Sequence, residues 1–210
     1  KRIKNKKMSR KIDKEPFFIS DFHIGHHNVI KFDGRPFRDV DEMHAELIKR
    51  WNSVIDDDDE VYYMGDLCMR DVDTAKWVMH ALKGKIHFIM GNHDRDKIIK
   101  RIDRFETIHE YGTEILVKDD TITDKRAKGH QQIIMSHYPI LSWNRSHYGS
   151  WMIHGHCHGS LMKSNQDYYK RKVMDVGCNV IDYTPISYQE VKSVMDKRVI
   201  ANVDHHKTEE

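Results

Sequence analysis

Apolar residues fall into short runs that stop at polar side chains, and these runs alternate with stretches of helical spacing. Phe17–Ser20 reads as a buried strand delivering Asp21 and His23 at its C-terminal end, and His26–Arg38 after it reads as loop. Met43, Leu47, Ile48, Trp51 and Ile55 then recur at helical spacing behind Asp39 and Asp41, which predicts a capped helix over 40–54. Val61–Met64 is the next strand and ends in Gly65-Asp66. Val72, Ala75, Val78, Met79 and Leu82 predict a helix stopped at Gly84, Ile86–Met90 a third strand, and 96–103 a short helix.

Strands alternating with helices predict a mostly parallel sheet with crossover connections, whose ligand edge is the C-terminal end of the strands. The second half changes character: Thr113–Lys118, Gln131–Met135, Trp151–His154 and Lys172–Val176 read as strands, and only Pro185–Met195 as helix. No repeat or composition break divides the body. The expected fold class is therefore α/β, with two sheets of one domain over 16–201.

Charge alters the picture at the N-terminus. The net charge is +2, but residues 1–15 carry eight Lys/Arg against two acidic residues, which leaves 16–210 at −4. Residues 1–15 are expected to be a basic flexible leader and 202–210 a frayed tail. A mildly acidic body argues against a surface built to neutralise duplex nucleic acid. No run approaches the roughly 18 apolar residues of a membrane span, and no secretion pattern is present, so the expected location is cytoplasmic without membrane contact. Cys68, Cys157 and Cys178 form no disulfide framework, which fits a reducing compartment.

Sixteen histidines stand out, and seven of them (His23, His26, His27, His93, His137, His156 and His158) lie in short segments with Gly, Asp or Asn. Residues two apart at a strand end point the same way, so Asp21 and His23 can meet one cation. Glycines before Asp66, Asn92 and His156 let backbone approach an ion closely. Carboxylate, amide and imidazole donors without a four-cysteine set suit a hydrolytic ion such as manganese, iron or zinc.

Five segments follow in order: Asp21-Phe22-His23, Gly65-Asp66, Gly91-Asn92-His93-Asp94, Ser136-His137 and Gly155-His156-Cys157-His158-Gly159. Together they resemble the signature of the calcineurin-like metallophosphoesterase superfamily. His26-His27-Asn28 and Arg35-Pro36-Phe37-Arg38 resemble an extension found in its small bacterial and phage-type members. The resemblance implies an αββα sandwich of two mixed sheets and two divalent ions, manganese first, with iron, zinc or nickel as alternatives. It implies that Asp21, His23 and His158 hold one ion, that Asn92, His137 and His156 hold the other, and that Asp66 bridges them. It further implies in-line attack on phosphorus by a metal-bridging hydroxide, with His93 assisting the leaving group and Asp94 orienting its ring.

Where the superfamily's protein phosphatases read G-D-x-x-D-R-G, this chain has Met69 for the second acid, which disfavours that activity. The expected substrate is a nucleotide or other small phosphate ester, cleaved by a phosphodiesterase or phosphohydrolase. A nuclease on single-stranded or short nucleic acid is the alternative, and a non-catalytic protein-binding scaffold a third. His26, Arg35, Arg70 and Arg145 are candidates for substrate binding. Arg35 can equally cap the following helix, and Arg70 can equally be a solvated arginine. The loop holding Tyr138, Trp143, Arg145 and Tyr148 mixes aromatic and polar groups suited to stacking a base.

Overall fold

A computed structural model describes residues 9–123 and 127–201. In chain order, β1 (Arg10–Ile12), β2 (Phe17–Ile19), α1 (His27–Phe32), α2 (Val40–Val54), β3 (Glu60–Tyr63), α3 (Val72–Ala81), β4 (Lys85–Ile89), α4 (Asp96–Ile99) and β5 (Phe105–His109) form the first half. They are followed by β6 (Thr113–Lys118), β7 (His130–Ser136), β8 (Trp151–His154), α5 (Ser160–Ser164), α6 (Gln166–Lys170), β9 (Val173–Asp175), β10 (Ile186–Ser187) and α7 (Tyr188–Met195). No described helix is long and apolar enough to cross a membrane.

The strands make two five-stranded mixed sheets, ordered β10-β2-β3-β4-β5 and β1-β6-β7-β8-β9. Strands β2 to β5 run parallel, so β2, β3 and β4 release their chains at one edge of the sheet. In the other sheet β7, β8 and β9 are also parallel, and Ser20 pairs with Gly177 across from it. These pairings bring the strand ends that carry polar side chains into one neighbourhood.

Side-chain alternation explains the layers. Phe18, Tyr62 and Ile89 point inward to meet Ile115, Ile133, Met135, Trp151 and Ile153 of the facing sheet. The alternate residues Ile19, Val61, Tyr63, Ile86 and Phe88 point outward and are covered by Met43, Leu47 and Trp51 of α2 and Ala75, Val78 and Met79 of α3. On the far side, Met152 and Val173 are covered by Tyr168, Tyr169 and Trp143. The expected α/β class with two packed sheets flanked by helices is what the chain adopts.

Several local expectations need correction. Arg10–Ile12 was expected within a flexible leader, yet it is a strand paired in parallel with Ile115–Val117. Buried Ile12 and the Arg10–Glu60 ion pair at 2.9 Å fasten it, so its basic composition misleads. Residues 1–8 of the expected leader, and the expected tail at 202–210, lie outside the described residues. His26–Arg38, read as loop, contains α1, because the His26 ring accepts from the Val29 amide at 2.9 Å and caps a helix with a single buried apolar residue, Val29. The second half also holds α5 and α6, each too short for an apolar stripe, and Pro185–Met195 opens with strand β10 before its helix.

Candidate metal centre

Six side chains converge where the sheets meet. Asp21, His23 and His158 form one group whose ligand atoms lie within 4.8 Å of one another, and Asp66, His137 and His156 form a second. Each group could hold a metal ion. Five of these six residues have left-handed backbone: Asp21 (φ 63°), His23 (53°), Asp66 (57°), His156 (69°) and His158 (48°). Such a conformation costs about 1–3 kcal/mol at a non-glycine residue and persists only where the surroundings enforce it. Here the chain leaves successive strands and turns at once, so each donor is aimed back across the strand ends.

The donors are held from behind. Asp21 is fully buried and accepts from Ser20 Oγ at 2.6 Å and from the His156 amide at 3.0 Å. A Cβ on Gly155 would stand 2.6 Å from Asp21 Oδ2, so only glycine lets this carboxylate approach. Gly91 plays the same part for Asp66, whose Oδ1 would collide with any side chain there. Asp66 Oδ1 accepts from the His93 amide at 2.9 Å, which leaves Oδ2 to face the imidazoles.

Hydrogen bonds select the ring nitrogens. His137 Nδ1 donates to the Met64 carbonyl at 2.8 Å and so turns Nε2 inward, 2.9 Å from Asn92 Oδ1 and 3.5 Å from Asp66 Oδ2. His158 Nδ1 donates to Asp33 Oδ2 at 2.7 Å, which turns its Nε2 to within 3.2 Å of His23 Nε2. Asp66 Oδ2 lies 3.7 Å from that same His23 nitrogen. One carboxylate oxygen therefore stands within 3.7 Å of an imidazole nitrogen from each group, and the ring nitrogens converge as cation ligands do. The donor chemistry fits a pair of divalent ions held by nitrogen and oxygen.

Electrostatics follow this geometry. Burial pushes the Asp21 carboxyl up to about 7 and the His23 imidazole down to about 3. Burial opposes charge at His137 too, but Asp66 beside it prevails and raises the ring to about 9. Burial likewise resists ionisation of Asp66, and the contact with His137 overcomes it, holding the carboxyl at about 2.

Asp33 escaped the sequence reading. The same oxygen that receives His158 accepts from Arg35 Nη2 at 2.9 Å and Nε at 3.1 Å. The only available signal was the Asp33-Gly34 pair, which reads as an ordinary turn.

Other candidates move away from the roles expected of them. Arg35, expected at substrate, is buried and donates to the Phe22 and Asp21 carbonyls at 2.8 and 2.9 Å, so it braces the backbone behind the site. Asp94, expected to orient His93, spends both oxygens on the amides of Asp66, Leu67 and Gly91 at 2.8–2.9 Å, and burial lifts its carboxyl to about 6. Arg145 lines a separate depression with Leu116, Gln131 and Tyr148, while Trp143 is buried under Arg171. In the expected base-stacking loop, Tyr138 touches the centre, its ring 4.6 Å from that of His156. Arg70 is exposed in a shallow recess beside His26 and Met69, next to the main cleft and not in its wall.

That cleft, of about 740 Å³, opens over both groups and is lined by His23, His26, Asp66, His93, His156 and His158 among others. His93 stands at its mouth with a side chain 40% exposed, its ring 5.5 Å from that of His23.

No family model matches the sequence. The chain is 29% identical over 185 residues to the Gene 66 protein of Mycobacterium phage L5, covering 77% of this chain and 84% of that protein. The crystal structure of the protein of unknown function AQ665 from Aquifex aeolicus shares the fold, with a TM-score of 0.62 at 23% identity over 86% of this chain and 98% of that one. An uncharacterized protein of Methanocaldococcus jannaschii, MJ1445, is 34% identical over 188 residues, which span 86% of this chain and 91% of that protein. At that identity and coverage, this chain belongs to the family of MJ1445.

Proposed function

We propose that this protein is a phosphoester hydrolase working with two divalent ions, manganese first among them. One observation carries the reading: Asp66 Oδ2 lies between His23 Nε2 at 3.7 Å and His137 Nε2 at 3.5 Å, so a single carboxylate serves both groups. The ordered motifs from Asp21 to His158, which resemble the calcineurin-like metallophosphoesterases, support the same reading. Two ions held there would supply Lewis acidity at phosphorus and a water of lowered pKa.

The chain's own residues then divide the work. Asp21, His23 and His158 hold one side of the centre, and Asn92, His137 and His156 the other. His93 lies outside both groups, fixed through its amide to Asp66, with its ring open to the cleft. It is suited to give a proton to the departing oxygen, a contribution of about 10²–10⁴-fold. His26 accepts the Val29 amide through Nδ1, so its proton sits on Nε2, where it can donate to a phosphate oxygen.

A small ester is favoured over a nucleic-acid strand. A polyanion needs a track of Lys and Arg, and Lys163 is the one such residue lining the cleft among those described. A non-catalytic scaffold would have no use for five strained donor residues.

The test is hydrolysis of bis(p-nitrophenyl) phosphate and p-nitrophenyl phosphate by chelator-stripped protein, with manganese, nickel, zinc or magnesium restored singly. Activity that disappears on stripping and returns with at least one ion is expected. Failure of every ion to restore cleavage of either ester would overturn the proposal.

A further inference from the structure

The cleft over the metal centre has an apolar wall that the chemistry at phosphorus does not use. Phe32 is 78% exposed and lines this cleft with Val29 and Met69. A lone exposed aromatic on a surface needs no explanation, but this one is tied to the site. Its ring lies 6.2 Å from that of His26, and the His26 ring lies 6.1 Å from that of His23. Asp33, the next residue along, is bonded to both His158 and Arg35, which fixes the backbone from which Phe32 projects.

We infer that Phe32 is a specificity-determining platform for a flat aromatic group on the phosphate ester, with Val29 and Met69 completing the apolar wall. The inference rests on the phosphoester reading and adds the class of ester to it. An open ring face stacks any planar group, independently of its hydrogen-bonding pattern. An ester carrying a flat ring suits this wall better than an alkyl phosphate.

The test separates this inference from the reading beneath it by using ligands with no ester bond to cleave. Methylphosphonate and naphthylmethylphosphonate share a head group and differ in the ring. Their binding to the manganese-loaded full chain is measured by calorimetry in the wild type, Phe32→Ala and Phe32→Trp. The wild type should prefer the naphthyl compound by about tenfold, the order of one ring stack. Phe32→Ala should abolish that preference and Phe32→Trp retain it. If methylphosphonate binds but the ring adds nothing, or the preference survives in Phe32→Ala, the platform is wrong and the phosphoester reading stands. If neither phosphonate binds the loaded protein, both fall.

Discussion

Asp33 Oδ2 receives the Nδ1 proton of His158 at 2.7 Å, and this bond decides which nitrogen of His158 faces the metal centre. A carboxylate behind a ligating imidazole fixes its tautomer and raises its basicity, and losing such a partner typically costs 10–100-fold in metal affinity. Asp33→Asn is therefore expected to weaken one of two bound manganese ions by about that factor, measured by equilibrium dialysis. Unchanged affinity for both ions would remove Asp33 from the centre.

Arg35 is placed as a brace behind the site. Its guanidinium satisfies Asp33 and two carbonyls from a position with no side-chain exposure. Arg35→Leu strands those acceptors and is expected to lower the free energy of urea unfolding by about 3–5 kcal/mol. A stable Arg35→Leu protein with only a raised KM would restore the substrate role.

His93 and Asp94 are neighbours with separable tasks. His93→Ala should keep the fold and both ions while turnover on an ester with a poor leaving group drops by about 10²–10⁴-fold. Asp94→Ala leaves three amides without their acceptor, and should cost on the order of 3 kcal/mol of stability. Thermal melts beside kinetics on both variants separate the two, and the opposite pattern would reverse the assignments.

The metal-free protein should also respond to pH. The His137 ring titrates near 9 when folded, against about 6.5 unfolded. A raised histidine contributes stability that is fully present below the unfolded value and is lost as pH rises through the folded one. Between pH 7 and 9 the chelator-treated protein should lose melting temperature. His158, raised beside Asp33, acts with the same sign. An ion bound at His137 must displace its proton, so calorimetric heats of manganese binding near pH 8 should depend on the buffer's ionisation enthalpy. Buffer-independent heats would contradict the charged ring.

Much of this was legible in the chain. Elements with a strong period emerged where expected: Val40–Val54 carries a full apolar stripe, and Thr113–Lys118 and Trp151–His154 are apolar strands bounded by polar residues. Elements without one were missed. Strand β5 is a half-exposed edge, α5 buries no residue, and β1 owes its place to Ile12 and to an ion pair far along the chain. In the centre, the six grouped residues were legible because the motifs that carry them follow apolar runs. The placement of the arginines was not legible because sequence records a charge but not its burial: Arg35 turns inward to a backbone carbonyl and Arg145 lines a separate depression. Asp33 and Phe32 were invisible for a related reason, since an Asp-Gly turn and a helix-end phenylalanine take on significance only beside His158 and His26.

Two adjacent ions sharing Asp66 are proposed to make one hydrolytic centre. Manganese titrated into stripped protein, with bound metal and bis(p-nitrophenyl) phosphate cleavage followed together, tests it most directly. Activity is expected to rise as the second equivalent fills, and Asp66→Ala to lose both the metal and the activity. Two ions bound without cleavage, or cleavage that persists in excess chelator, would contradict it.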